Sequence, residues 1–89
     1  MKNLIEENYK SIVARGLITP STTRSEFIYK LFEEVDEFEK ANYLNDWGNI
    51  EEELADIILV CLNFAKHYKI DIEKELNNKI KKNFQRSLK

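Results

Sequence analysis

Two groups of carboxylates in the middle of this 89-residue chain have the spacing that chemistry needs. Glu33, Glu34 and Glu37 lie three and four positions apart, so a helix carrying them would hold all three along one side. Glu53 and Asp56 repeat the three-residue step further on. If the two helices pack antiparallel through the short segment 42–48, these acidic edges face each other, and like charges at that range repel unless a cation sits between them. A site made only of hard oxygen donors suits Mg²⁺, with Mn²⁺ as an alternative. The competing reading is a solvated helical face, which glutamates on adjacent turns also produce. Asp56 tips the balance toward metal. From Leu54 to Ala65 the sequence is apolar nearly all round a helix, with only Asp56 and Asn63 as polar exceptions, so a central, buried helix is expected. An ionised aspartate there must be protonated, paired or metal-bound, since bare burial costs several kcal/mol.

Other residues of chemical interest fare less well. The one histidine, His67, follows no glutamate at the three-residue step of a di-iron helix bundle, and Cys61 lies six positions away, out of reach as a nucleophile partner. A packed or surface histidine is the expectation for His67, and a buried reduced thiol for Cys61. Lys30 precedes Glu34 by four positions and should form an intrahelical ion pair with it. Asn45, Asp46 and Trp47 offer hydrogen-bonding groups and a ring that can stack on a base or cover a small core.

Four helices must position these groups. The first is predicted over about Lys2 to Arg15, closed by Gly16. Thr23 and Glu26 form a capping box that opens a second helix, running to about Ala41. After a loop over Asn42 to Gly48, Asn49 with Glu52 repeats that pattern and predicts a third helix through about Tyr68. Asp71 caps a fourth, ending near Ser87. With two glycines, one proline and 43% hydrophobic residues, the chain reads as a single all-α domain over 1–89. A domain this small leaves much apolar surface within reach of water, so a partner subunit is expected.

Charge is unevenly spread. From Glu26 to Asp56 there are eleven acids against two lysines, and from Lys66 to Lys89 eight bases against three acids. An acidic centre followed by a basic segment suits a metal-bound polyphosphate, and it disfavours nucleic acid as a partner. One cysteine excludes an internal disulfide, and no apolar run reaches the roughly 18 residues of a membrane span, so a cytoplasmic location is expected.

Glu33-Glu34-Val35-Asp36-Glu37, a 15-residue spacer and Glu53-Leu54-Ala55-Asp56 make an EExxE pattern followed by ExxD. This layout resembles the MazG-type all-α nucleotide pyrophosphohydrolases over roughly Phe27 to Arg86, including the tail Asn77-Asn78-Lys79 with Asn83 and Arg86. The resemblance implies a four-helix MazG-like bundle completed by oligomerisation, as a homodimer or homotetramer. It also implies Mg²⁺-dependent hydrolysis of a nucleoside triphosphate to the monophosphate and pyrophosphate, in a nucleotide-pool housecleaning role. Carried over by position, Glu34, Glu37, Glu53 and Asp56 are the metal ligands, and Glu33 is a further ligand through water or the group that orients the attacking water. Lys79, Lys82, Asn83 and Arg86 form a stripe for the outer phosphates, and Trp47 is the candidate for the base. A phosphoribosyl-ATP pyrophosphohydrolase has a similar motif layout, and a non-enzymatic helical module binding a basic partner through its acidic face is the reading without metal.

Overall fold

The computed structural model describes residues 2–88, so the ends of the predicted 1–89 domain, Met1 and Lys89, lie outside the described residues. Four helices appear in the order α1 (Lys2–Ala14), α2 (Arg24–Tyr43), α3 (Trp47–His67) and α4 (Ile72–Ser87). The all-α expectation holds.

Local chemistry explains most of the boundaries. Gly16 takes a left-handed φ of +73°, which lets its N–H reach the Val13 carbonyl at 2.9 Å and the Leu17 N–H reach the Ile12 carbonyl at 3.2 Å. These two bonds form a Schellman closure of α1. The Thr23 hydroxyl accepts from the Glu26 N–H at 3.2 Å while the Glu26 carboxylate accepts from the Thr23 N–H at 3.3 Å, completing the capping box of α2. Asp71 caps α4 by accepting from the Lys74 N–H at 3.1 Å.

One boundary departs from expectation. Asp46, not Asn49, is the N-cap of α3, and the helix begins at Trp47. The Asp46 carboxylate accepts from both the Asn49 backbone, at 3.4 Å, and the Asn49 side chain, at 2.7 Å. Asn49 thereby becomes the third helical residue. The loop shrinks to the turn 44–46, closed by Asn45 at φ +56° with its N–H on the Asn42 carbonyl and the Asp46 N–H on the Ala41 carbonyl.

That tight turn folds α2 back along α3, and the two form the main packing interface, with α1 laid across the other side of α3. The core is small: Ile18, Phe27, Ala41, Ile50, Leu62 and Ala65 are buried. Phe27 is its anchor. Its ring meets Phe64 edge-on at 5.6 Å between centroids and lies 5.1 Å from His67 and 5.9 Å from Tyr68. Polar contacts fix α1 on α3: Glu6 pairs with Lys66, the Tyr9 hydroxyl bonds His67 Nδ1 at 2.9 Å, and Asn8 Nδ2 donates to Asn63 Oδ1 at 2.6 Å. His67 is thus a packed histidine.

Two expectations about burial are corrected within the single chain. α3 is covered on only part of its circumference: Leu54 and Ile58 are 47% and 49% exposed, and Cys61, on the same stripe, is exposed instead of buried. The cause is geometric, since α1 and α2 together cover one side of α3 and nothing among the described residues covers the other. α4 buries none of its residues and makes no extensive packing with α1, α2 or α3. Leu76, Ile80, Phe84 and Leu88 line up along it at four-residue steps, all exposed. No helix among the described residues is long and apolar enough to cross a membrane.

Candidate metal centre and adjoining cleft

The hairpin of α2 and α3 brings the acids together by register. Glu34 and Asp56 each stand eleven positions from Asn45, the centre of the turn, so an antiparallel fold about Asn45 places them at equal depth on facing helices. Glu53 lies one helical turn nearer the hairpin on the same side of α3 as Asp56. A carboxylate oxygen from each of Glu34, Glu53 and Asp56 falls within 4.8 Å of the other two. All three residues are half-buried.

The electrostatics record the crowding. Burial first, then the neighbouring Asp56 and Glu34 carboxylates, and more weakly Glu37, push the Glu53 carboxyl above the ordinary glutamate range. Asp56 is raised in the same way, by burial and then by Glu34 and Glu52, with Lys30 acting in the opposite direction. Lys30 is the neighbouring cation. Its ammonium lies 3.1 Å from Glu34 and 3.4 Å from Glu33, and the Glu34 contact leads the causes that hold its pKa above the usual lysine value. The ion pair expected between Lys30 and Glu34 is present.

The remaining acids of the first motif are set apart from this cluster. Glu33 is exposed and turned to Lys30, and Glu37 is exposed and close enough to raise Glu53 without joining the three-oxygen group. Three oxygens converging on one space, with repulsion still uncompensated by a single lysine, make a donor set that fits a hard divalent cation. Glu34, Glu53 and Asp56 could hold one directly, with Glu37 beside them.

A cleft of about 550 Å³ adjoins the cluster, with Glu34 and Asp56 in its wall. This volume is in the range of small-molecule sites. Its far side is built by α1, which contributes Asn8, Ser11 and Ile12, by Arg15 just past the end of that helix, and by Leu59 and Val60 of α3. Asn8, Ser11 and Ile12 sit at steps of three and four, one face of the helix. They went unnoticed in the sequence, where the only available signal was that Asn8 and Ser11 share a face with Ile12. Trp47 does not line this cleft, nor do Lys79, Lys82, Asn83 and Arg86. Within one chain the α4 stripe is not brought to the acids, and no α4 cation contributes to the raised carboxyls of Glu53 and Asp56.

Residues 22–89, about three quarters of the chain, match the MazG nucleotide pyrophosphohydrolase domain. The chain belongs to this family. MazG domains are in general divalent-metal-dependent pyrophosphohydrolases, and the acid cluster of this MazG chain lies wholly within the matched segment. Helix α1, which walls the cleft, lies before it. Neither the curated proteins nor the solved structures gave a significant match.

Proposed function

We propose that this MazG domain is an Mg²⁺-dependent nucleoside triphosphate pyrophosphohydrolase, releasing pyrophosphate and a nucleoside monophosphate. The convergence of Glu34, Glu53 and Asp56 within 4.8 Å, beside a nucleotide-sized cleft, carries this reading. Glu34, Glu53 and Asp56, with Glu37 in support, would hold a divalent ion, which would supply positive charge to the triphosphate oxygens. Glu33 holds and deprotonates the attacking water, and its contact with Lys30 fixes the carboxylate for that task. Lys30, bridging Glu33 and Glu34, keeps part of the acidic charge balanced before substrate arrives. Water attacks one of the two phosphorus atoms that flank the α–β bridging oxygen and breaks that P–O bond, giving the monophosphate and pyrophosphate with no covalent intermediate on the chain.

The working form is an assembly, a homodimer or homotetramer, because the exposed stripes on α3 and α4 need cover. Docking of α4 from one copy on another is also what brings Lys79, Lys82, Asn83 and Arg86 to the outer phosphates. The setting is cytoplasmic and the role is removal of unwanted nucleotides. The test is pyrophosphate release from a panel of ribo- and deoxyribonucleoside triphosphates with Mg²⁺. At least one should turn over, and a panel with no turnover would refute the reading.

A further inference from the structure

The cleft beyond the acids contains a polar pair that the hydrolytic site leaves unused. Asn63 of α3 is 7% exposed, and its Oδ1 accepts from Asn8 Nδ2 of α1 at 2.6 Å. Each carboxamide has a donor end and an acceptor end. Their single mutual bond therefore leaves one acceptor, Asn8 Oδ1, and one donor, the Asn63 amide, with no other partner among the described residues. Both asparagines line the cleft whose wall includes Glu34 and Asp56, and Ile12, Leu59 and Val60 flank them with apolar surface. A cleft of mixed lining that sets one free donor and one free acceptor among apolar side chains is complementary to the hydrogen-bonding edge of a nucleobase, which presents the same two functions side by side.

We propose that the α1 cleft is the base-reading pocket of the enzyme, with Asn8 and Asn63 as its specificity-determining residues. This rests on the pyrophosphohydrolase reading of the acid cluster, which fixes the triphosphate at the Glu34 and Asp56 end. The base then lies between Ile12 and the Leu59–Val60 surface, and α1, outside the family-matched segment, sets which base is accepted. The base is assigned to α1 and not to Trp47, which lies outside the cleft. Because the asparagine pair offers its donor and acceptor in one order, it distinguishes bases with an exocyclic amino group at that edge, adenine and cytosine, from those with a carbonyl, guanine and uracil or thymine. A mismatched base leaves a desolvated polar group unpaired, enough for roughly tenfold discrimination or more.

The test is kcat/KM across the eight common ribo- and deoxyribonucleoside triphosphates with Mg²⁺, for the wild type, the double variant N8L/N63L and the single variant Ser11→Trp. Replacing both asparagines removes the polar pair while keeping its bulk, and Ser11→Trp fills the cleft from an exposed position of α1. The wild type should separate amino from carbonyl bases at least tenfold. N8L/N63L should reduce that ratio to within about twofold, and Ser11→Trp should raise KM at least tenfold for the preferred triphosphate with kcat little changed. If N8L/N63L fails to fold by circular dichroism, Ser11→Trp decides. A wild type that treats both base classes equally, a double variant that keeps the wild-type ratio, or a Ser11→Trp variant with unchanged KM overturns the proposal while leaving hydrolysis intact. A wild type that releases no pyrophosphate from any of the eight overturns the hydrolytic reading itself.

Discussion

Glu53 and Asp56 are held in surroundings that disfavour their own charge, as expected where function has been favoured over stability. Neutralising one of them should therefore act in opposite directions on two readouts. Glu53→Gln is expected to cut pyrophosphate release at least 100-fold and, in metal-free protein at pH 7, to raise the melting temperature. Both are checked on one preparation, by a pyrophosphate assay and a thermal melt in chelator. The same crowding sets a pH dependence. Carboxyls raised in the folded state bind protons more tightly there than in the unfolded chain, so they stabilise the fold at low pH and that contribution is lost as pH rises through the folded values. For the metal-free protein this loss begins above the ordinary values of 3.8 for Asp56 and 4.5 for Glu53. Glu6 is lowered by Lys66 and works in the opposite sense, its contribution disappearing only as pH falls below 4.5. Urea melts from pH 4.5 to 7.5 should show metal-free stability falling with pH, and saturating Mg²⁺ should abolish the fall.

At the scale of elements, caps and turns decide where the acids meet. Removing the Thr23 hydroxyl with Thr23→Ala should cost about 1 kcal/mol in a chemical denaturation curve, because it frees the Glu26 N–H and opens the capping box. Lys69 ends α3 at φ +56°, where an L side chain is strained, and Lys69→Gly should gain about 1 kcal/mol by the same measurement. Features written within four residues were legible in the sequence: the Thr23 box, the Asp71 cap, the Gly16 closure, and the three-residue step from Glu53 to Asp56. The start of α3 is not legible in the same way, because Asn49 with Glu52 also fits the capping pattern, while Asp46 satisfies both the backbone and the side chain of Asn49. What α1 contributes to the cleft depends on how it crosses α3. Contacts such as Asn8 with Asn63, fifty-five residues apart, leave no local trace.

Across the whole molecule, the described residues leave one side of α3 uncovered and bury no residue of α4, and this is where the structure departs from the burial expected of α3. An all-round apolar α3 is consistent with a helix buried in an assembly, but α1 and α2 cover only one side of it, leaving Leu54, Ile58 and Cys61 open. The stripe Leu76, Ile80 and Phe84 on α4 is likewise uncovered. Sedimentation should give a dimer or larger species at micromolar concentration, and Ile80→Asp should shift it toward monomer, because a charge on that stripe cannot be buried without a partner. The acids of the proposed metal site are held in one hairpin: Glu34 from α2 opposite Glu53 and Asp56 from α3. Calorimetric titration of Mg²⁺ into the metal-free protein tests that site most directly. Saturable binding at millimolar affinity or tighter, lost in Asp56→Asn, is the predicted result, and either no saturable binding or binding unchanged by Asp56→Asn would contradict it.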